Sequence, residues 1–460
     1  ALFLRHRMLE QYHLMNIFRQ VTLILMLSLG SFLSVKAQVN EEFSSALDSA
    51  RALEDNKKDS VVFTAKYVRY TTLAMMKQST KTVQLDTSHV NFQYYNPQNR
   101  PWNPSINLGS YGLATRDLLF NPNKTIGFQS GFHAFERYVV DPDSIHYFRA
   151  RARYSELSAV GFFFNDQVFR ALLAQNINSQ WNIGASYYAT NTDGYYVNQD
   201  YNDRKANVFS WYESKNKRYN LLVNAAFNKI SAAENGSVVN DTIFRDTSGT
   251  SNMGFATRLK GTNADRPNNK WIDNSAFIRQ SFYIGRLDTL NVGTPEMEIR
   301  PTNSFAHNSS IRQRKYMFFK NEDDLEGAFP YGGKRKVDDT TSITTISNEF
   351  TYGFYLRGKG VFKNEAKLNL GFQNDLIWYA DSLGSEFYQN SMVKGALGYQ
   401  FSDRVNIDAN VSQIVVGRNA GDFLYEANAD INFSERLGKL SIGAYSQNKS
   451  PEMAFERMQY

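Results

Sequence analysis

Cysteine is absent from all 460 residues. That removes disulfides, thiolate chemistry and Cys-based metal sites. Long apolar runs are missing as well. Beyond the N-terminus none approaches the roughly 18 residues that a spanning helix needs. Mean hydropathy is −0.48, which excludes a bundle of transmembrane helices. Catalytic motifs are missing too. There is no HExxH, no GxSxG elbow and no P-loop Gly-Lys-Ser/Thr. The six histidines (His6, His13, His89, His133, His146, His307) form no clustered ligand set. Carboxylates stand singly, as solvated charges do. The chain is therefore expected to have no catalytic residue, no metal site and no cofactor. A strong charge excess is also lacking. Net charge is +6 and the isoelectric point about 9.0, dispersed along the chain. Solubility and pore lining account for this, and nucleic acid is not an expected partner.

What the chain does have is aromatic side chains: 14% of residues, with 27 Tyr and 34 Phe. That is high for so polar a protein. They recur in segments of roughly ten residues that alternate apolar with polar, separated by polar loops. Phe423, Tyr425, Ala427, Ala429, Ile431 and Phe433 alternate with Glu426, Asn428, Asp430 and Asn432. A strand sends successive side chains to opposite faces, so this stretch has one apolar wall and one ionic wall. Long aromatic repeats after an export signal point to a barrel with a greasy outside and a wet inside.

The export signal starts at Met15, with Arg19 and an apolar core from Val21 to Leu33. Val35 and Ala37 suit a signal peptidase, so the mature chain is expected to begin at Gln38. Residues 38–104 read as a periplasmic extension and 105–460 as the barrel. Strands are expected near 105–114, 125–138, 145–162, 166–177, 180–190, 206–214, 218–230, 275–285, 302–318, 347–358, 365–377, 389–401, 404–416, 421–433 and 438–447. The links 178–179, 215–217, 402–404 and 434–438 are tight. The stretches 191–205, 231–274, 319–346 and 378–388 are long and polar. Short periplasmic turns alternate with long external loops in outer-membrane barrels. The expected fold class is thus all-β: an antiparallel transmembrane barrel of about 14–16 or more strands. By loop parity the last strand runs outward, so further strands are expected beyond Tyr460 to close the edge.

Short pieces in series carry a family resemblance. They are Asp86-Thr87-Ser88, Asn91-Phe92 with Tyr95-Asn96-Pro97, and Asn107-Leu108-Gly109-Ser110-Tyr111-Gly112. Next come Gly127-Phe128, Gly131-Phe132, Ala174-Gln175-Asn176-Ile177, and Gly194-Tyr195-Tyr196 with Asn198-Gln199. Lys217-Arg218-Tyr219 and Phe227-Asn228-Lys229 with Glu234-Asn235-Gly236 complete the series. In order and spacing, 86–239 resembles the putative porin family of Bacteroidetes, and the likeness continues more weakly to the C-terminus. The resemblance implies an outer-membrane barrel and a pore. Family members usually run longer than this chain.

Charges on strands carry the site expectation. Arg149, Arg151 and Arg153 share one face of an expected strand, with Tyr147. An Arg facing lipid at the midplane costs about 2–4 kcal/mol, so three in a row must face the lumen. Asp408, Asp422, Glu426 and Asp430 are placed inside for the same reason. Either the basic and acidic strips face each other across water, or they pair directly and brace the interior. Strand order alone leaves both open. Tyr187, Tyr188, Trp211, Trp378 and Tyr379 fit interfacial girdles or ordinary cross-strand packing. Lys334-Arg335-Lys336 reads as a solvated loop run, with lipopolysaccharide phosphates as the alternative.

The function expected from the sequence is an outer-membrane porin, a passive diffusion channel for small hydrophilic solutes. The expected surroundings are outer-membrane lipid and lipopolysaccharide, with a homo-oligomer open. The alternative is a non-conducting structural or partner-binding barrel.

Overall fold

The computed structural model describes residues 68–457 apart from short stretches, the longest being 96–103, 241–256 and 357–364. The export signal, most of the expected N-terminal extension and Arg151 lie outside the described residues.

Six short strands come first: β1 (Arg69–Thr71), β2 (Thr80–Lys81), β3 (Val83–Gln84), β4 (Ser105–Asn107), β5 (Thr115–Asp117) and β6 (Tyr147–Arg149). The large sheet follows. Its strands are β7 (Tyr154–Val160), β8 (Gln167–Asn176), β9 (Trp181–Thr192), β10 (Tyr201–Glu213) and β11 (Tyr219–Ala233). Next are β12 (Asn268–Leu290), β13 (Glu298–Asn321), β14 (Lys336–Leu356) and β15 (Ala366–Asp381). β16 (Gly384–Ser402), β17 (Val405–Gly417), β18 (Phe423–Ser434) and β19 (Gly438–Asn448) complete it. A short helix, α1 (Met453–Arg457), ends the described chain.

β7 to β19 pair in sequence order, each antiparallel to the next, and β2 adds to the start of β13. Among the described residues β7 pairs only with β8, and β19 only with β18. The links at one end span 177–180, 214–218, 291–297, 357–365, 403–404 and 435–437. Those at the other end include 193–200, 234–267 and 322–335. The asymmetry expected from the sequence holds for 177–180, 214–218, 403–404 and 435–437 against 193–200, 234–267 and 322–335, whereas 291–297 and 357–365 are longer than 382–383 and 418–422. The stretch 378–388, expected as a long loop, is a tight hairpin. Asp381 and Gly384 are paired, and the Asp381 carboxylate accepts from the amides of Leu383 and Gly384 at 2.9 and 3.1 Å. That Asx turn closes the strands without a loop.

The alternation written in the sequence becomes two faces. On one, Tyr219, Phe282, Phe305, Tyr352 and Leu370 are successive cross-strand neighbours from β11 to β15. Phe282, Phe305, Tyr352 and Leu370 are all exposed. Val208, Phe227, Val393, Val411 and Ile442 extend the same apolar surface to both sides. Water does not tolerate so large a contiguous patch; hydrocarbon does. β12, β13 and β14 have 23, 24 and 21 residues. About 9–11 suffice to cross a bilayer. Part of the surplus lies at the long-link end, and β12 also runs past β11 at the other end, over residues 283–290.

The opposite face is polar, and along β9 to β11 it is largely buried. Along β10 the buried residues are Tyr201, Asp203, Lys205, Asn207, Phe209 and Trp211, with exposed or half-buried residues between them. What covers this face is the chain itself. Segment 68–149 and α1 contact strands from one edge of the sheet to the other, so the sheet wraps around them. Near the short-link end, Val68, Leu73 and Met76 join Tyr147 and Phe148 against Leu172, Trp211 and Leu222. Further along, Leu113, Phe135 and Tyr138 pack with Tyr201, Ile230, Trp271 and Tyr316. Phe135 meets the Trp271 ring edge-on at 5.2 Å. Burying one such side chain contributes about 1.5–3 kcal/mol.

Three expected strands are therefore corrected. Residues 105–114 supply only β4, half of a two-stranded hairpin with β5. Residues 125–138 form turns and a 3-10 turn at Glu136–Tyr138. Residues 145–162 split into β6, which pairs with β1 in a small inner sheet, and β7, which opens the large one. The wall thus begins at Tyr154, not at 105.

Candidate functional site

Polar ties hold the inner segment to the wall. Arg279, buried on β12, donates to the carbonyls of Met76 and Lys77 at 2.9 and 3.1 Å. It also donates to Asn308, which donates to Glu349, which Lys394 meets at 2.8 Å. Arg312 on β13 donates to both oxygens of Asp273 and to Asp141 at 2.8 Å. Asn228 exchanges hydrogen bonds with the backbone of Val140. Gly112 makes the closest approach. With φ +87 and the Tyr201 ring 2.1 Å from where a Cβ would stand, no other residue fits.

At the long-link end, α1 acts as a latch. Arg457 reaches Asp381 at 3.3 Å and pairs with Glu386, and Arg418 pairs with Glu456. His133 sits between Glu136 at 3.0 Å and Glu452 at 3.2 Å. The Glu136 hydrogen bond raises the imidazole above its usual range. Burial opposes that shift and Glu452 adds to it.

Between residues 111–146 and the inner faces of β7 to β10 the packing opens into a chamber of about 1170 Å³. Ser158, Arg170, Ser186, Tyr188, Thr190, Lys205 and Asn207 line the wall side. Arg116, Asp117, His133, Glu136, Arg137 and His146 line the other. Four guanidinium or ammonium groups thus face two carboxylates. Lys205 is paired with Asp203 at 2.8 Å, Arg170 with Glu156 at 3.4 Å, and Arg137 with Asp117. Arg116 is exposed and makes no ion pair among the described residues. Burial, then the nearby Arg170, hold the His146 imidazole below its usual range.

The expected site residues divide. Arg149 lies on β6, not on the wall. It stacks over Trp211 at 4.2 Å, faces Glu213 at 3.6 Å and donates to the Ser179 carbonyl at 2.9 Å. Arg153 precedes β7 and is exposed. The basic strip does not form as one strand face, because Arg149 ends β6 and Arg153 lies outside it, ahead of β7. The acidic residues do share the inward side. Glu426 meets Lys124 of the inner segment at 2.9 Å, and Asp430 meets Lys439 at 2.7 Å. Asp422 accepts from the amides of Gly127 and Ser450. Asp408 lies beside Gly398, its partner on β16. Among the aromatics, Tyr187 and Trp378 point outward, whereas Trp211 and Tyr379 are buried inward and Tyr188 lines the chamber. Strand parity separates these neighbours. The described residues hold no group of three or more His, Asp or Glu side chains placed to bind a metal.

A wall that is aromatic outside and polar inside, and wrapped around its own chain, defines an outer-membrane β-barrel. The chain belongs to the Putative porin family, whose model matches residues 66–459. A comparison with curated proteins finds no match. Among solved structures, the chain is similar to the ferric yersiniabactin uptake receptor FyuA of Yersinia pestis. Identity is 8%, the match covers 85% of this chain and 61% of that one, and the TM-score is 0.42. FpvAI in its complex with pyocin S2 gives 7%, 84%, 55% and 0.43 in the same order. The siderophore receptor PiuA of Acinetobacter baumannii gives 8%, 64%, 45% and 0.36. The match thus spans between 45% and 61% of these three structures.

Proposed function

We propose that this barrel is a passive channel for small hydrophilic solutes, with its long-link end outward. The route runs off-axis, along the inner wall of β7 to β10, and not down an empty centre. The observation that supports it is the chamber beside the inner segment, about 1170 Å³ in volume, where charged and polar side chains stand among apolar ones. Size exclusion acts where residues 111–146 approach the wall. Arg116 and Arg170 bias the route toward anions, since Arg116 makes no ion pair among the described residues and the lining holds four cations against two carboxylates. Asp408, Glu426 and Asp430 line the opposite inner wall, where Glu426 and Asp430 are largely neutralised by lysines.

A second reading is a non-conducting structural barrel, favoured by the number of ties between inner segment and wall. Planar-bilayer recording of the purified protein separates the two. Discrete conductance steps with an anion-selective reversal potential support the channel. The double variant Arg116→Gln with Arg170→Gln should move that potential toward cations. Absence of steps supports the structural barrel.

A further inference from the structure

The outer face of the wall carries cations where its apolar band ends. On β11 the outward residues run Tyr219, Leu221, Val223, Ala225 and Phe227, then Lys229. On β10 they run Tyr212, Ser210, Val208 and Ala206, then Arg204. Arg204 and Lys229 are direct cross-strand partners, and both are exposed. Like charges opposed in this way destabilise a sheet unless an anion lies between them. Lys270 on β12 stands next to them, opposite Ser231. None of the three makes an ion pair among the described residues. They share a shallow outer groove of about 610 Å³ with Met317 and Phe319, and Asp338 supplies its one carboxylate. Apolar and cationic groups thus adjoin in one groove, continuous with the apolar band and at its long-link boundary.

We propose that this groove binds the phosphorylated headgroup of an outer-leaflet lipid. The phosphates sit between Arg204, Lys229 and Lys270, and an acyl chain lies along Met317 and Phe319 toward the band. The inference rests on the outer-membrane reading and on the outward placement of the long-link end. It is independent of conduction.

The test is native mass spectrometry of the full chain in detergent micelles, titrated with diphosphorylated lipid A. Wild type should retain the lipid. R204Q/K229Q/K270Q should weaken retention roughly a hundredfold, about fivefold for each cation lost at an anionic headgroup. R335Q/K336Q removes two cations from the link and start of β14 and should leave retention unchanged. Inorganic phosphate at equal concentration should not compete. Heat-modifiable gel migration reports whether the triple variant has folded. If it has not, K270Q alone is read against the same roughly fivefold expectation. Equal retention by wild type and the groove variant overturns the proposal. So does an equal loss in R335Q/K336Q, or displacement by inorganic phosphate.

Discussion

Replacing Arg312 with Gln tests whether the inner segment is fastened to the wall as described. Arg312 makes three hydrogen bonds to Asp273, at 2.7 to 3.1 Å, and one to Asp141 at 2.8 Å. Its partners differ in burial: 9% of the Asp273 side chain is exposed, against 42% for Asp141. Removing the guanidinium leaves Asp273 as a nearly buried carboxylate without a counter-charge. That costs about 3–5 kcal/mol in a sealed interior, and the lower end applies because Arg312 itself is partly exposed. Asp141→Asn leaves the Arg312–Asp273 pair whole and loses one half-exposed ion pair, about 0.2–1 kcal/mol. R312Q should therefore destabilise the folded barrel by about 3 kcal/mol and D141N by less than about 1 kcal/mol. Urea unfolding in detergent micelles, followed by tryptophan fluorescence and by the gel shift of unboiled protein, gives both values. Equal losses in the two variants, or an R312Q loss below about 1 kcal/mol, would refute the geometry.

Other predictions concern the latch, the docking of the inner segment and the outer wall. The His133 imidazole is raised when folded, so its contribution is complete below its unfolded value of about 6.5 and fades as pH rises through the folded value. A spin label at Phe455→Cys should accordingly grow more mobile as pH rises from 6 toward 8, and His133→Gln should abolish that trend. The chain has no other cysteine to confuse the label. Gly112→Ala should cost at least about 1–2 kcal/mol from the left-handed backbone alone, with the Tyr201 clash added. Limited proteolysis between residues 111 and 146 reads the loosening, and an unchanged cleavage rate would count against the packing. Ala427→Arg places a cation on the lipid face and should impair assembly into heat-modifiable barrels without moving selectivity.

Much of the wall was legible because its two faces meet different solvents. β9, β17, β18 and β19 fall within a few residues of expectation, since each alternates apolar with polar along its length. β12 to β14 run well past the expected strands. Beyond the bilayer both faces of a strand meet polar surroundings, so the alternation that marks it disappears. The inner segment was misread for the opposite reason. Tyr147, Phe148 and Ile145 pack against the wall's inner face, and short alternating apolar stretches look the same inside a barrel as on its outside. A signal was present in Gly112, Gly127 and Gly131, all with positive φ, within twenty residues where a membrane strand has no use for turns. The misplaced basic strip follows from that error, since Arg149 belongs to the filling and not to the wall. Glu426 and Asp430 share one face because β18 alternates along its whole length. The chamber depends on how the filling meets β7 to β10, a contact between segments that periodicity does not encode.

The most direct measurement of the proposed route is single-channel block at one chamber position. Ser158 lies on the chamber side of β7, and Val208 points to lipid from β10. Ser158→Cys and Val208→Cys are reconstituted separately and treated with a bulky, membrane-impermeant sulfonate thiol reagent. The off-axis route predicts that modification at 158 cuts conductance sharply while the 208 variant keeps its full steps. Full conductance after confirmed modification at 158 would contradict it.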